Sequence, residues 1–108
     1  MGYKLLISDL SNSKDLWSVK VTPLVEKQLK SQGRTVPDTE RYQMVALISQ
    51  GRQKPANDID NYIKPIIDSI TYSQLVWIDD EQIDEMWIRR KHNQQNEKSA
   101  VEIVIEKI

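Results

Sequence analysis

One segment constrains the fold more than any other. Ile59, Tyr62, Ile63, Ile66, Ile67 and Ile70 recur at the spacing that lines them up along one stripe of an α-helix. Such a stripe has to be buried, and in a chain of 108 residues the surface that covers it is a small sheet. Pro65 interrupts the pattern. The helix is therefore expected either to kink there or to become regular only past Asn61. Asn61, Lys64 and Asp68 fall on the face opposite the stripe, and Asp58 and Asp60 extend that polar line back beyond the helix start.

The other segments supply the sheet. Tyr3 to Ile7 reads as a short strand, and the polar run Asp9 to Asp15 as a loop. Thr22 and Pro23 carry the signature of a helix start, Thr as N-cap and Pro at the first helical position. Leu24, Val25 and Leu29 then face one way, with Gly33 as the stop. Val36-Pro37-Asp38 is a turn. Arg41 to Ser49 is apolar on both faces, which predicts a central strand. Gln50 to Asn57, with Arg52 and Lys54, reads as a basic loop. Ile83 to Lys91 and Ala100 to Ile105 are expected to form an antiparallel hairpin across the polar stretch His92 to Ser99. In the second of these strands Val101, Ile103 and Ile105 alternate with acids, the mark of one buried face. The predicted order is β-α-β-α-β-β, an α/β (α+β) arrangement with a mixed sheet of about four strands and two helices on one face.

The chain has no cysteine and a single histidine, His92. That excludes a disulfide scaffold, a Cys-ligated zinc site, an iron–sulfur cluster, a thiol nucleophile and a multi-histidine metal site. A catalytic metal would have to sit on carboxylates, which favours magnesium or manganese. No apolar run approaches the ~18 residues of a membrane span. The start, Met1-Gly2-Tyr3-Lys4-Leu5, lacks the apolar core of a secretory signal, so a cytoplasmic location without a membrane partner is expected. Net charge is −1 and the pI about 5.8, which is not the basic footprint of bulk nucleic-acid binding. The charge is unevenly placed. Residues 1–57 hold nine Lys/Arg against five Asp/Glu, and residues 58–108 hold six against eleven. Seven of those eleven acids lie between Asp58 and Asp84. Carboxylates so clustered repel one another unless something offsets them. The cluster reads either as a solvated acidic face or as a divalent-cation site.

The acids form two groups, Asn57-Asp58-Ile59-Asp60-Asn61-Tyr62-Ile63-Lys64 running on to Asp68, and Trp77-Ile78-Asp79-Asp80-Glu81-Gln82-Ile83. If the chain before the helix is extended, Asp58 and Asp60 point the same way and can share a cation. A return loop from the helix end near Ser69 would bring Asp79 and Asp80 back to the helix start. An EF-hand is excluded, because Ile63 stands where that loop needs glycine. A lone Asp-x-Asp is a weak signal. The longer pattern Asp-x-Asp-Asn-x-x-Lys-x-x-x-Asp, followed by Asp-Asp-x-Gln-Ile, is far more specific.

On these residues the stretch from about Arg52 to Ile105 resembles the RusA-type Holliday-junction resolvases, small homodimeric magnesium-dependent endodeoxyribonucleases. The matching positions are Asp58, Asp60, Asn61, Lys64, Asp68, Trp77, Asp79, Asp80, Gln82 and Ile83. The resemblance implies a single RusA-like endonuclease domain over residues 1–108 that works as a homodimer. It implies Asp58, Asp60 and Asp80 as catalytic and metal-binding carboxylates for Mg2+, with Mn2+ able to substitute, and Lys64 as a further residue needed for cleavage. It implies DNA contact by the basic run before the first Asp, represented by Arg52 and Lys54, on a four-way junction or related branched DNA cut by paired symmetric nicks. The alternative is a divergent or non-catalytic DNA-binding dimer that keeps the fold. The Pro-rich loop of the family after its first strand is represented only by Leu10-Ser11-Asn12-Ser13-Lys14. Several residues carry two readings. Lys64 is also the i+4 partner of Asp68, Asn61 either binds phosphate or caps the helix, and Asp79 either binds metal or holds the turn. Trp17, Trp77 and Trp87 read as core or dimer contacts, His92 as solvent-exposed, and Arg89-Arg90-Lys91 as a solvated strand end or a DNA-backbone contact.

Overall fold

The computed structural model describes residues 2–10, 14–52 and 58–108. In chain order these form β1 (Gly2–Leu10), α1 (Lys14–Ser31), β2 (Tyr42–Gln50), α2 (Ile59–Ser73), a 3-10 turn at Asp80–Gln82, β3 (Ile83–His92) and β4 (Ser99–Lys107). The strands make one mixed four-stranded sheet in the order β1-β4-β2-β3. This is the α+β arrangement and element order that the apolar patterning predicts.

The pairing differs from the expected hairpin. β3 and β4 do not pair; each lies beside β2, β4 antiparallel and β3 parallel to it. The parallel pair needs a crossover, and α2 supplies it. The alternating apolar face of β4 earns an interior place between β1 and β2, whereas β3, with five charged residues among its ten, takes the edge. The polar stretch after β3 carries the chain across the end of β2. There the Asn93 N–H donates to the Gln50 carbonyl and the Arg52 N–H to the Asn96 carbonyl, both at 2.8 Å. Gly51 makes the crossing possible: a Cβ at that position would lie 2.5 Å from the Lys98 carbonyl oxygen.

One face of the sheet is buried. Tyr3, Leu5 and Ile7 of β1, Val101, Ile103 and Ile105 of β4, and Tyr42, Met44, Ala46 and Ile48 of β2 form its core side. Val21, Val25 and Leu29 of α1 cover it together with Tyr62, Ile63, Ile66 and Ile70 of α2. At full burial each of these aliphatic side chains contributes about 1.5–3 kcal/mol relative to exposure. Of the predicted stripe, Ile59 at the helix start remains exposed and Ile67 is half-buried.

Both helix starts are corrected. α1 begins at Lys14, inside what reads as a loop, and β1 runs on to Leu10; residues 11–13 lie outside the described ones. Pro23 sits within α1 on its exposed side, where its missing N–H removes one helical hydrogen bond. Thr22 is not a cap. Its hydroxyl shares a 2.8 Å hydrogen bond with that of Ser69, tying α1 to α2. Gly33, at φ 86°, does close α1, with its N–H on the Lys30 carbonyl. In α2 the helix runs through Pro65, and its N-cap is Asp58. Asn61 is inside the first turn, so its reading as a cap fails. Among the described residues no helix is long and apolar enough to cross a membrane.

Candidate functional site

The α2 start is fixed from below by a buried polar cluster. The Tyr62 hydroxyl donates to Gln50 Oε1 at 3.0 Å and lies 3.2 Å from Ser99 Oγ. Gln50 Nε2 and the Gly51 N–H both donate to the same Ser99 oxygen. A tyrosine hydroxyl on an apolar helix face needs a polar partner, and here the ends of β2 and β4 provide it. The cluster therefore holds the first turn of α2 against the end of the sheet from which Arg52 projects. Neither Gln50 nor Ser99 stands out in the sequence; only the isolated hydroxyl of Tyr62 signals that such partners must exist.

Asp80 is positioned with equal firmness. The Asp79 carboxylate accepts from the Glu81 N–H at 3.0 Å, and Gln82 Oε1 accepts from the N–H groups of Ile78 and Asp79. This reciprocal capping closes the 3-10 turn. Gln82 Nε2 then donates to the carbonyls of Asp38 and Glu40, each at 2.9 Å, and anchors the turn to the segment before β2. Trp77, fully buried, donates from its indole nitrogen to Thr71 Oγ1 and meets Tyr42 edge-on at 5.7 Å. Trp77 is thus core, Trp87 is exposed, and His92 is exposed at the end of β3.

Subtracting the acids with structural partners sharpens the cluster. Asp84 and Glu81 are both bound by the Arg41 guanidinium, which lowers the Asp84 pKa. Asp79 is the cap of its turn, and the Glu81 N–H in first place, then Asp80, lowers its pKa. Asp80 moves the other way. Its hydrogen-bonding contact with the Asp79 carboxylate raises its pKa, partial desolvation and Asp68 add to this, and Lys64 opposes it. Asp80 thus feels both Asp68 and Lys64 of α2, so the return from the helix end does bring it back to the helix.

A groove of about 250 Å³ makes that meeting visible. Asp60, Lys64 and Asp68 of α2 and Asp80 line it, with Ile63 and Met86 among its apolar walls. A second groove of about 460 Å³ runs along the other flank of the same helix face and adds Asn61 and Thr22 to Asp60, Lys64 and Asp68. Lys64 Nζ is 3.9 Å from Asp68 Oδ2, with the lysine side chain 78% exposed. A pair that open contributes at most about 0.5 kcal/mol, so it leaves the ammonium available to a ligand.

Asp58 sits apart from this lining. It is exposed at the N-cap, its carbonyl accepts from the Asn61 and Tyr62 N–H groups, and its carboxylate makes no capping hydrogen bond. Asp60 is helical, not extended, so the alternation argument that pointed it alongside Asp58 does not apply. Among the described residues, no group of three or more carboxylates or histidines is drawn together as a ready cation cage. The anionic groups that line the groove are the carboxylates of Asp60, Asp68 and Asp80, with no thiolate and no imidazole among the lining residues. That donor chemistry fits a hard divalent cation such as Mg2+ or Mn2+.

Arg52 is described and exposed. Its guanidinium pairs with Glu97 at 3.3 Å, both side chains being more than half exposed. Lys54 lies outside the described residues. A family model described as Endodeoxyribonuclease RusA matches residues 17–106, well beyond the stretch from Arg52 onward that carries the motif. No curated protein matches the chain.

Proposed function

Because the chain belongs to the endodeoxyribonuclease RusA family, we propose that it is a metal-dependent endonuclease that cuts Holliday junctions or related branched DNA as a homodimer in the cytoplasm. The observation that carries the site assignment is the groove in which Asp60, Lys64 and Asp68 of α2 face Asp80 from the turn before β3. Asp60 and Asp80 of that groove would hold Mg2+, or Mn2+ in its place; Asp58, which lies outside the groove lining, would have to move in to complete the set that the sequence suggests. A bound divalent cation stabilises charge on the phosphoryl oxygens and activates a water for in-line attack.

The chain's own residues do the rest. Lys64, weakly tied to Asp68, turns its ammonium to a non-bridging phosphate oxygen and offsets the charge that grows there. Asn61, on the wall of the adjoining groove, donates its amide to a neighbouring phosphate. Arg52 releases Glu97 and, with Lys54, tracks the backbone on the approach to α2, where neutralised phosphates release counterions. Paired, symmetric nicks follow from two such sites related by the dimer axis.

A second reading has one observation in its favour. Among the described residues no three carboxylates stand close enough together to hold a cation as they are, as expected of a DNA-binding dimer that has lost cleavage. Incubation with a mobile four-way junction, beside duplex, flap and single-stranded controls, separates the two. The nuclease reading predicts paired nicks in Mg2+ or Mn2+ and none in EDTA. Junction binding with no cleavage in either metal would support the non-catalytic reading, and cleavage that persists in EDTA would overturn the metal assignment.

A further inference from the structure

The two edges of the sheet are treated differently. On the β1 edge, Gln28 and Gln32 of α1 stand one helical turn apart and act as a surrogate strand. Gln28 accepts from the Leu6 N–H and donates to the Leu6 carbonyl, both at 2.7 Å. Gln32 does the same for Lys4 at 2.9 and 2.7 Å. That edge is covered at Lys4 and Leu6. On the opposite edge, no strand among the described residues pairs with the outer side of β3. An exposed ten-residue edge is a template for strand addition.

The sequence of β3 says what it would pair with. About Trp87 as centre, Met86 mirrors Ile88, Glu85 mirrors Arg89 and Asp84 mirrors Arg90. Two antiparallel copies of β3 centred there set apolar against apolar and Glu85 against Arg89, whereas a parallel pairing sets like charges side by side. The hydrogen-bonding phase agrees. The Asn93 N–H bonds to Gln50, which is paired with His92, so odd-numbered residues of β3 turn their backbone groups to β2. Met86, Ile88 and Arg90 turn theirs outward. Met86 and Ile88 would then exchange both backbone hydrogen bonds with their mates, leaving Trp87 facing Trp87 at a non-hydrogen-bonded position. The side chains agree as well. Trp87 is 62% exposed and Met86 40% exposed.

We propose that the outer edge of β3 pairs antiparallel with β3 of a second copy, about a two-fold axis through Trp87, joining two four-stranded sheets into one. This rests on the homodimer named under the proposed function and assigns its interface. Single exposed ion pairs contribute little affinity; here the Glu85–Arg89 pairs set register and orientation.

The chain has no cysteine, so Trp87→Cys introduces the sole thiol. In the proposed dimer two such residues have Cα atoms about 4.5 Å apart, within disulfide range. Mild oxidation should convert Trp87→Cys to a covalent dimer that a reductant releases, while Gln94→Cys in the exposed loop should not cross-link. Sedimentation of the cysteine-free chain supplies the second arm. Arg89→Glu should weaken the dimer about tenfold or more, and Glu85→Arg with Arg89→Glu should restore it, which also keeps the test open if Trp87→Cys fails to fold. A wild-type chain that sediments as a monomer would overturn both the dimer and this interface. A stable dimer that neither cross-links at position 87 nor responds to the charge swap would overturn the interface alone and leave the nuclease reading in place.

Discussion

At the scale of single residues, some side chains hold the site and others act in it. Lys64 is the clearest of the second kind. Its contact with Asp68 is long and open, so Lys64→Ala should change stability by less than about 0.5 kcal/mol. Cleavage should nevertheless fall by about a hundredfold or more, as when a charge-stabilising donor is lost. Thermal unfolding and junction cleavage on the same preparation check the pair of outcomes; loss of both together would make Lys64 structural. Asp38 is of the first kind. Burial works to raise its pKa, but the Tyr42 hydroxyl, Lys107 and the Glu40 N–H outweigh it, and the value is lowered. A carboxylate depressed by folding lends stability that is complete above its unfolded value of about 3.9 and is lost as pH falls through the lower folded value. Asp84, depressed by Arg41, acts in the same direction. Asp80, raised by Asp79, acts oppositely: its cost is present at neutral pH and is relieved as pH falls through its folded value. Unfolding midpoints followed from neutral pH to about 2 should therefore drop below about pH 4. Asp38→Asn should be less stable at neutral pH and flatter across that acidic window. An unchanged slope would remove Asp38 as a contributor.

At the scale of elements, α1 does two things: it covers the sheet and closes its β1 edge. Gln28→Ala with Gln32→Ala deletes four side-chain bonds to β1. These are exposed, so the expected loss is roughly 1–3 kcal/mol in all, with concentration-dependent association through the uncovered edge. Chemical denaturation and light scattering test this, and an unaltered double variant would mean that the edge needs no cover. What the sequence made legible at this scale follows from the range of the interactions. The α2 stripe is local, and it located the helix and its buried face in spite of Pro65. The alternation in β4 did the same for that strand. The start of α1 was not legible, because the polar residues before Trp17 imitate a loop and Thr22-Pro23 imitates a cap; the bond from Thr22 to Ser69 that explains the threonine is long-range. The parallel pairing of β3 with β2 was hidden for the same reason. Neighbours in sequence suggest a hairpin, and only the crossing at Gly51 and Asn93 rules it out. In the site, the polar line Asn61, Lys64 and Asp68 was readable from helical spacing. The separation of Asp58 from Asp60 was not, since it depends on where the helix begins.

At the scale of the whole molecule, a chain of net charge −1 concentrates its acids at one end of a helix and the turn that returns to it. Glu81 and Asp84 are offset by Arg41 and Asp79 by backbone N–H groups, while Asp60, Asp68 and Asp80 are left facing one groove with only Lys64 of opposite sign in its lining. On the proposed function, a cation bound at this groove would offset the repulsion, which makes the groove the cleavage site. That claim, that the groove is the cleavage site, is tested most directly by Asp60→Asn. The swap keeps the shape of the side chain and removes one negative charge. Junction cleavage in Mg2+ should be abolished, while thermal unfolding in EDTA should show a protein at least as stable as the wild type, because one source of repulsion has gone. Cleavage by Asp60→Asn at the wild-type rate would contradict the assignment, whatever the unfolding curve showed.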